Sequence, residues 1–122
     1  MSEIKTFQDL KVWQRAHELV LEVYGLTKKF PSEERYALAN QVRRAVISVA
    51  SNIVEGFNRI SIRDSLHFYA IARASLEEAK YQLLVARDLG YLADSSYQHV
   101  ARLCDEVGKM LNAWLLSQRK HL

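Results

Sequence analysis

The chain of 122 residues carries 17 Lys+Arg against 14 Asp+Glu, a net charge of +3, with 49% hydrophobic and 25% charged residues. This is the composition of one folded domain, 1–122, long enough for a sizeable core, and its mild basicity permits attraction to polyanions without establishing it. The single cysteine excludes an internal disulfide, and no run approaches the roughly 18 apolar residues of a membrane span.

Met1 to Thr6 lacks the apolar stretch of a signal peptide, so the expectation is a soluble, cytoplasmic protein. Four Gly and one Pro leave few turns, which points to a few long helices.

Helix one is expected over Phe7–Lys29. Thr6 with Asp9 makes a capping-box variant, and Lys28 and Lys29 suit the negative end of the helix dipole. Leu10, Trp13, His17, Val20 and Tyr24 form one stripe; Val12, Ala16, Leu19, Val23 and Leu26 form a second. A helix apolar on two sides needs partners on two sides. Gly25 inside it costs about 1 kcal/mol relative to Ala. Phe30-Pro31 ends the helix, because proline restricts the residue before it and donates no hydrogen bond. Ser32 is then expected to cap helix two, with Glu33 and Glu34 complementing its N-terminus.

At about 100° per residue, Leu38, Val42, Val46, Val49 and Ile53 of helix two fall in one stripe, widened by Ile47, Ala50 and Val54. Opposite lie Arg44, Ser48, Ser51 and Glu55, with Gln41 and Asn52 beside them. A solvated face more usually carries Lys and Glu, whereas short polar side chains let another backbone approach. Gln41, Arg44, Ser48, Ser51, Asn52 and Glu55 are therefore read as a contact surface for a neighbouring helix or a second copy of the chain. The plainer reading is an exposed face poor in long side chains. Gly56 is read as the point where the helix stops or bends, and Phe57–Ile60 as the loop.

Ser61 with Asp64 opens helix three, whose core stripe is Phe68, Tyr69, Ala72, Leu76, Ala79, Leu83 and Ala86. Gly90 suits the position just past its end. Asp94 or Ser95, the latter boxed with Gln98, caps helix four, where Tyr97, Val100, Cys104, Val107, Leu111, Trp114 and Leu115 face the core. Short connections between four such helices give an all-α, antiparallel up-down-up-down four-helix bundle.

Chemistry is sparse. A di-iron bundle needs Glu-x-x-His pairs, and none occurs; Asp64-x-x-His67 is a single coincidence, and His17, His99 and His121 lack ligand spacing. His17 is expected to be half-buried on the Trp13/Tyr24 stripe. Cys104 belongs to a core stripe, where a thiol is an inert small hydrophobe. Glu77-Glu78 reads as a solvated face with Arg73 and Lys80 near Glu77. With no phosphate loop or nucleophile elbow, the expectation is no enzyme, no catalytic residue, no cofactor and no metal. Nucleic acid is the open option. Arg43, Arg44, Arg59 and Arg63 lie in and after helix two, and Lys11, Arg15, Lys28 and Lys29 along helix one. Binding through them would be led by phosphate contacts and fall with salt; ordinary surface basic residues, offset by 14 acids, are the alternative.

Phe7-x-Asp9-Leu10-x-Val12-Trp13-Gln14, Phe30-Pro31-x-Glu33, Tyr36-x-Leu38, Gln41-x-Arg43-Arg44-Ala45, Ser48-Val49-x-x-Asn52-Ile53-x-Glu55-Gly56, Tyr69-x-Ile71-Ala72-x-Ala74-Ser75-x-x-Glu78 and Leu89-Gly90-Tyr91-Leu92 together resemble the four-helix bundle proteins encoded by intervening sequences of bacterial 23S ribosomal RNA genes. The likeness runs nearly the whole chain, with Asn52-Ile53-x-Glu55-Gly56 its most specific part; Ala74-Ser75 stands where the family pattern has Gly-Ser. The resemblance implies a homopentameric ring and a likeness to the accessory variability protein of diversity-generating retroelements, which binds nucleic acid and a reverse transcriptase. It implies no catalytic role for Arg43, Arg44, Asn52 or Glu55. The function expected is thus a non-enzymatic homo-oligomer that engages RNA, DNA or a reverse-transcriptase-like partner through a basic surface. A structural or regulatory protein–protein module without a nucleic-acid role is the alternative, and an enzyme with a site between subunits ranks third.

Overall fold

The computed structural model describes residues 3–122, so Met1 and Ser2, which open the segment read for a signal peptide, lie outside the described residues. Four helices follow one another: α1 (Lys11–Thr27), α2 (Leu38–Phe57), α3 (Ile62–Asp88) and α4 (Asp94–Arg119). Short 3-10 turns at Phe7–Asp9 and Ser32–Glu34 precede α1 and α2, and no strand occurs among the described residues. No helix among them is long and apolar enough to cross a membrane.

The contacts fix the direction of each helix. Tyr69, Arg73, Leu76, Lys80 and Arg87 of α3 meet Trp114, Asn112, Gly108, Asp105 and Tyr97 of α4 in turn. One helix is climbed as the other is descended, so the two run in opposite directions. Arg15 and Glu22 of α1 meet Glu106 and His99 of α4 in the same reversed order, as Ser48 and Gly56 of α2 meet Ser75 and Tyr69 of α3. The result is the expected bundle.

Apolar periodicity explains the core. Val42, Val46, Val49 and Ile53 of α2 are buried with Val12, Ala16, Leu19 and Val23 of α1. Leu76 and Leu83 of α3 and Val100, Cys104, Val107 and Leu111 of α4 complete it. Only the second of the two α1 stripes is the core stripe; Trp13, Val20 and Tyr24 of the first are half-buried and His17 is exposed. His17 lies flat on the Trp13 ring, centroids 5.0 Å apart at 10°, which corrects the half-buried expectation: stacking on an aromatic covers one face of an imidazole and leaves its nitrogens in water. Ile47 departs too, at 40% exposed; its angle carries it past the edge of the stripe.

Small residues set the spacing between α2 and α3. Ser48 Oγ and Ser75 Oγ share a hydrogen bond of 2.8 Å, while Ala45, Gly56, Ala72, Ala79 and Ala86 are buried. Gly56 is the last residue but one of α2, which ends at Phe57, close to the stop read for it; the Tyr69 ring occupies the space where a side chain at 56 would stand.

The ends show where local signals hold. The Thr6/Asp9 box is present, but it caps a 3-10 turn: Leu10 is extended at φ −76 and ψ 122 before α1 begins at Lys11. That break lets Leu10 drop into the core at 2% exposed while Phe7 packs edge-on against Trp13. Ser32 opens only the second 3-10 turn, and α2 starts at Leu38 without a side-chain cap. Ser61 does cap α3, its Oγ accepting from the Asp64 N–H at 3.1 Å. Helix α4 starts at Asp94 after Ala93, with no hydroxyl or carboxylate cap; Asp94 instead contributes its charge to the first turn.

At the end of α3, Gly90 adopts φ +80. The Tyr91 N–H bonds Ala86 O and the Gly90 N–H bonds Arg87 O, both at 2.9 Å, which closes a Schellman turn. A Gly90→Ala chain is expected to lose about 1 kcal/mol in urea unfolding, the penalty of a left-handed Cβ less the entropy removed from the unfolded chain; an unchanged midpoint would mean the turn has re-formed another way.

Candidate nucleic-acid and subunit surfaces

The eight basic residues drawn from the sequence separate into two groups. Lys28 and Lys29 follow α1 and Arg43 and Arg44 lie in the first two turns of α2, at one pole of the bundle. Lys11 and Arg15 begin α1, and Arg59 and Arg63 flank the start of α3, at the other. Along α2 the poles are roughly 24 Å apart at about 1.5 Å per residue. One continuous patch of eight is therefore not what the fold builds.

The groups also differ in their partners. Arg15 bonds Glu18 and Glu106, each at 2.7 Å; the Glu18 hydrogen bond and then the Glu106 charge raise its pKa. Arg59 bonds Glu55 at 2.6 Å and lies over the Phe68 ring. Such exposed pairs add little to stability because water screens them, yet they offset the charge a phosphate would meet. At the first pole, none of Lys28, Lys29, Arg43 or Arg44 forms a salt bridge among the described residues. Arg43 turns inward: its Nε donates to Thr27 Oγ1 at 2.7 Å and its guanidinium lies 4.8 Å from the Tyr24 ring centre. Thr27, 3% exposed, donates its own hydroxyl hydrogen bond to Val23 O at 2.7 Å.

The sequence did not point to Arg35, which lines the same concavity as Lys28 and Arg43 beneath the Ser32–Glu34 turn. Its neighbour Tyr36 is 85% exposed. Arg35 stands in a corner between helices with no apolar periodicity around it, so no helical pattern marks it; Tyr36 enters only through the family resemblance.

The six residues read as a contact surface also divide. Ser48 and Asn52 face α3 within the chain: Asn52 Nδ2 donates to Ser48 O at 2.8 Å and to Ser48 Oγ at 3.0 Å, and Ser48 bonds Ser75. Gln41, Arg44, Ser51 and Glu55 remain exposed. With Ile47 they form the outward face of α2, an apolar side chain set among short and charged ones.

Elsewhere the titratable groups are structural. Hydrogen bonds from the Thr6 and Lys5 backbone hold the Asp9 carboxyl below its usual range. Burial works against the Lys80 charge, but Glu77 and Asp105 outweigh it and raise its pKa. Cys104 is fully buried, and that burial pushes its thiol up to about 12. Among the described residues no group of three or more His, Cys, Asp and Glu is placed to hold a metal ion.

A family model described as "23S rRNA-intervening sequence protein" matches residues 8–113. Among solved structures, the chain is similar to a protein of unknown function from the S23 ribosomal protein family of Bacteroides thetaiotaomicron, with a TM-score of 0.79 at 22% identity over 85% of this chain and 94% of that one. At that identity the likeness speaks for the fold. No curated protein matches the chain.

Proposed function

From a chain that belongs to the 23S rRNA-intervening sequence protein family, we infer a non-enzymatic, self-associating bundle whose basic pole binds nucleic acid or a protein that works on nucleic acid. One observation carries this reading. Lys28, Lys29, Arg35, Arg43 and Arg44 gather where α1 ends and α2 begins, and none is held in a salt bridge among the described residues. Self-association would multiply the effect. Five copies, the number the sequence resemblance implies, would carry five times the +3 of one chain and align five such poles for one polyanion.

The outward face of α2 favours a second reading. Exposed Ile47 amid Gln41, Arg44 and Ser51 suits a protein–protein contact, between copies or with a regulatory partner, with no nucleic acid involved.

Light scattering coupled to size exclusion gives the subunit number; a chain that stays single at high concentration removes the assembly part. Filter binding of a labelled RNA and DNA of matched sequence tests the rest. If the five pole cations each meet a phosphate, log K should fall with log salt at a slope of about −4.5 on duplex and about −3.5 on single strands. Arg44→Glu should weaken binding and flatten that slope. Absence of retention at low salt would leave the protein–protein reading.

A further inference from the structure

We propose that the corner between α1 and α2 is a binding pocket for a single phosphate group, best filled by the terminal phosphate of a nucleotide or a nucleic-acid end. This deepens the proposed function by naming what the basic pole grips first, and in its choice of nucleotide it rests on that reading. The pocket is a concavity of about 160 Å³ lined by Thr27, Lys28, Ser32, Arg35 and Arg43 over a floor that includes Phe30. Three cations reach it from three different elements, and no carboxylate lines it.

Of the acids closest in sequence, Glu33 does not line the pocket and Glu34 is held elsewhere. Glu34 Oε2 accepts from Tyr91 Oη at 2.8 Å and its Oε1 approaches the Leu38 N–H at 3.4 Å. Among the last carbonyls of α1, which would repel an anion, those of Tyr24, Leu26 and Thr27 are occupied by the Lys28, Lys29 and Phe30 N–H groups at 3.1–3.3 Å.

Arg43 is the preorganised member. Its Nε is fixed on the buried Thr27 hydroxyl at 2.7 Å and its plane is held over Tyr24, so the terminal nitrogens are presented with little freedom left to lose. A guanidinium fork fits two oxygens of a phosphate. Lys28 and Arg35, both exposed, stand at the mouth as adjustable charges. The volume suits a phosphate and the cations line it, so a nucleotide would enter phosphate first. Its base would remain outside, where Tyr36, next to Arg35 and 85% exposed, offers a stacking surface.

The test is a titration of the full chain with inorganic phosphate, with 5′-phosphorylated pentathymidylate and with its 5′-hydroxyl form, followed by calorimetry and by amide NMR shifts. Saturable shifts at Thr27, Ser32 and Arg35, weakened about tenfold in Lys28→Gln/Arg35→Gln, are expected; both side chains are exposed, so the fold should stand. Tighter binding of the 5′-phosphorylated form identifies a nucleic-acid end as the occupant, and equal or tighter binding of inorganic phosphate identifies the free anion. No shift at those amides in millimolar phosphate, or unchanged affinity in the double variant, overturns the pocket. Retention of long RNA or DNA without phosphate binding sinks the pocket alone, whereas phosphate binding without any retention of nucleic acid sinks the wider reading and keeps the pocket.

Discussion

A Gly56→Ala chain should lose about 2–3 kcal/mol of stability in urea unfolding, although alanine is the better helix former by about 1 kcal/mol. Position 56 lies inside α2 and is buried. A Cβ there would overlap the Tyr69 ring at Cε1 and come within 2.8 Å of Cδ1 and 3.0 Å of Cζ. Those atoms belong to a rigid ring that is 1% exposed and braced edge-on by Trp114, centroids 6.3 Å apart. Burial raises the Tyr69 phenol pKa, and the Trp114 indole N–H beside it acts in the opposite sense. That contact falls short of a full hydrogen bond, for Trp114 Nε1 is buried without a partner. The ring has no free direction in which to yield, so α2 and α3 must separate or the ring must leave its rotamer. The same substitution made in a Tyr69→Leu background should be neutral or stabilising by up to about 1 kcal/mol. Equal losses in both backgrounds would show that the ring is not what the glycine accommodates.

Gly56 also illustrates what was legible in the sequence. Periodicity at 3.6 residues says which way a side chain points but not what it meets. The stripes Val42, Val46, Val49, Ile53 and Val100, Cys104, Val107, Leu111 therefore fell in the core as read. By contrast, a glycine read only as a stop or bend, and found one residue from the end of α2, is also a packing site set by a residue on another helix. The start of α2 failed for the same reason. Ser32 followed by two glutamates is a good local cap signal, but Phe30 is buried against Tyr91, and Tyr91 Oη holds Glu34, 57 residues away in sequence. That long-range contact shapes the segment as a 3-10 turn, and α2 begins only after it. At the basic surface, residue type was legible and orientation was not. Arg43 carries a long apolar stem that lets its head turn onto Tyr24 and Thr27, whereas Ser48 meets Ser75 of a neighbouring helix, one of the two partners read for it. Arg35 lies in the 3-10 corner that the sequence reads as the start of helix two, and only the fold brings it beside Lys28 and Arg43.

Raising the pH from 9 to 12 should remove on the order of 4 kcal/mol of stability through Cys104 alone, if the thiol stays buried as the fold places it. The side chain is 0% exposed, and its pKa rises from 9.0 to about 12, chiefly through burial, with the Lys80 charge pulling the other way. Below pH 9 the thiol is protonated in both folded and unfolded chains and contributes no slope. Between 9 and 12 the unfolded chain releases the proton while the folded chain keeps it. The unfolded state then binds fewer protons, and stability falls by about 1.4 kcal/mol per pH unit until the folded thiol ionises. Other groups also lose protons at alkaline pH, so the measurement is a difference. Urea unfolding of the parent and of Cys104→Val, near-isosteric and non-ionising, under reducing conditions at successive pH values should give curves whose separation is constant below pH 9. Above it the parent should lose ground to the variant at about that slope, because every other group cancels. A separation independent of pH would mean that water reaches Cys104 in the folded chain, and that α3 and α4 pack less closely around Lys80 and Asp105 than the bundle requires.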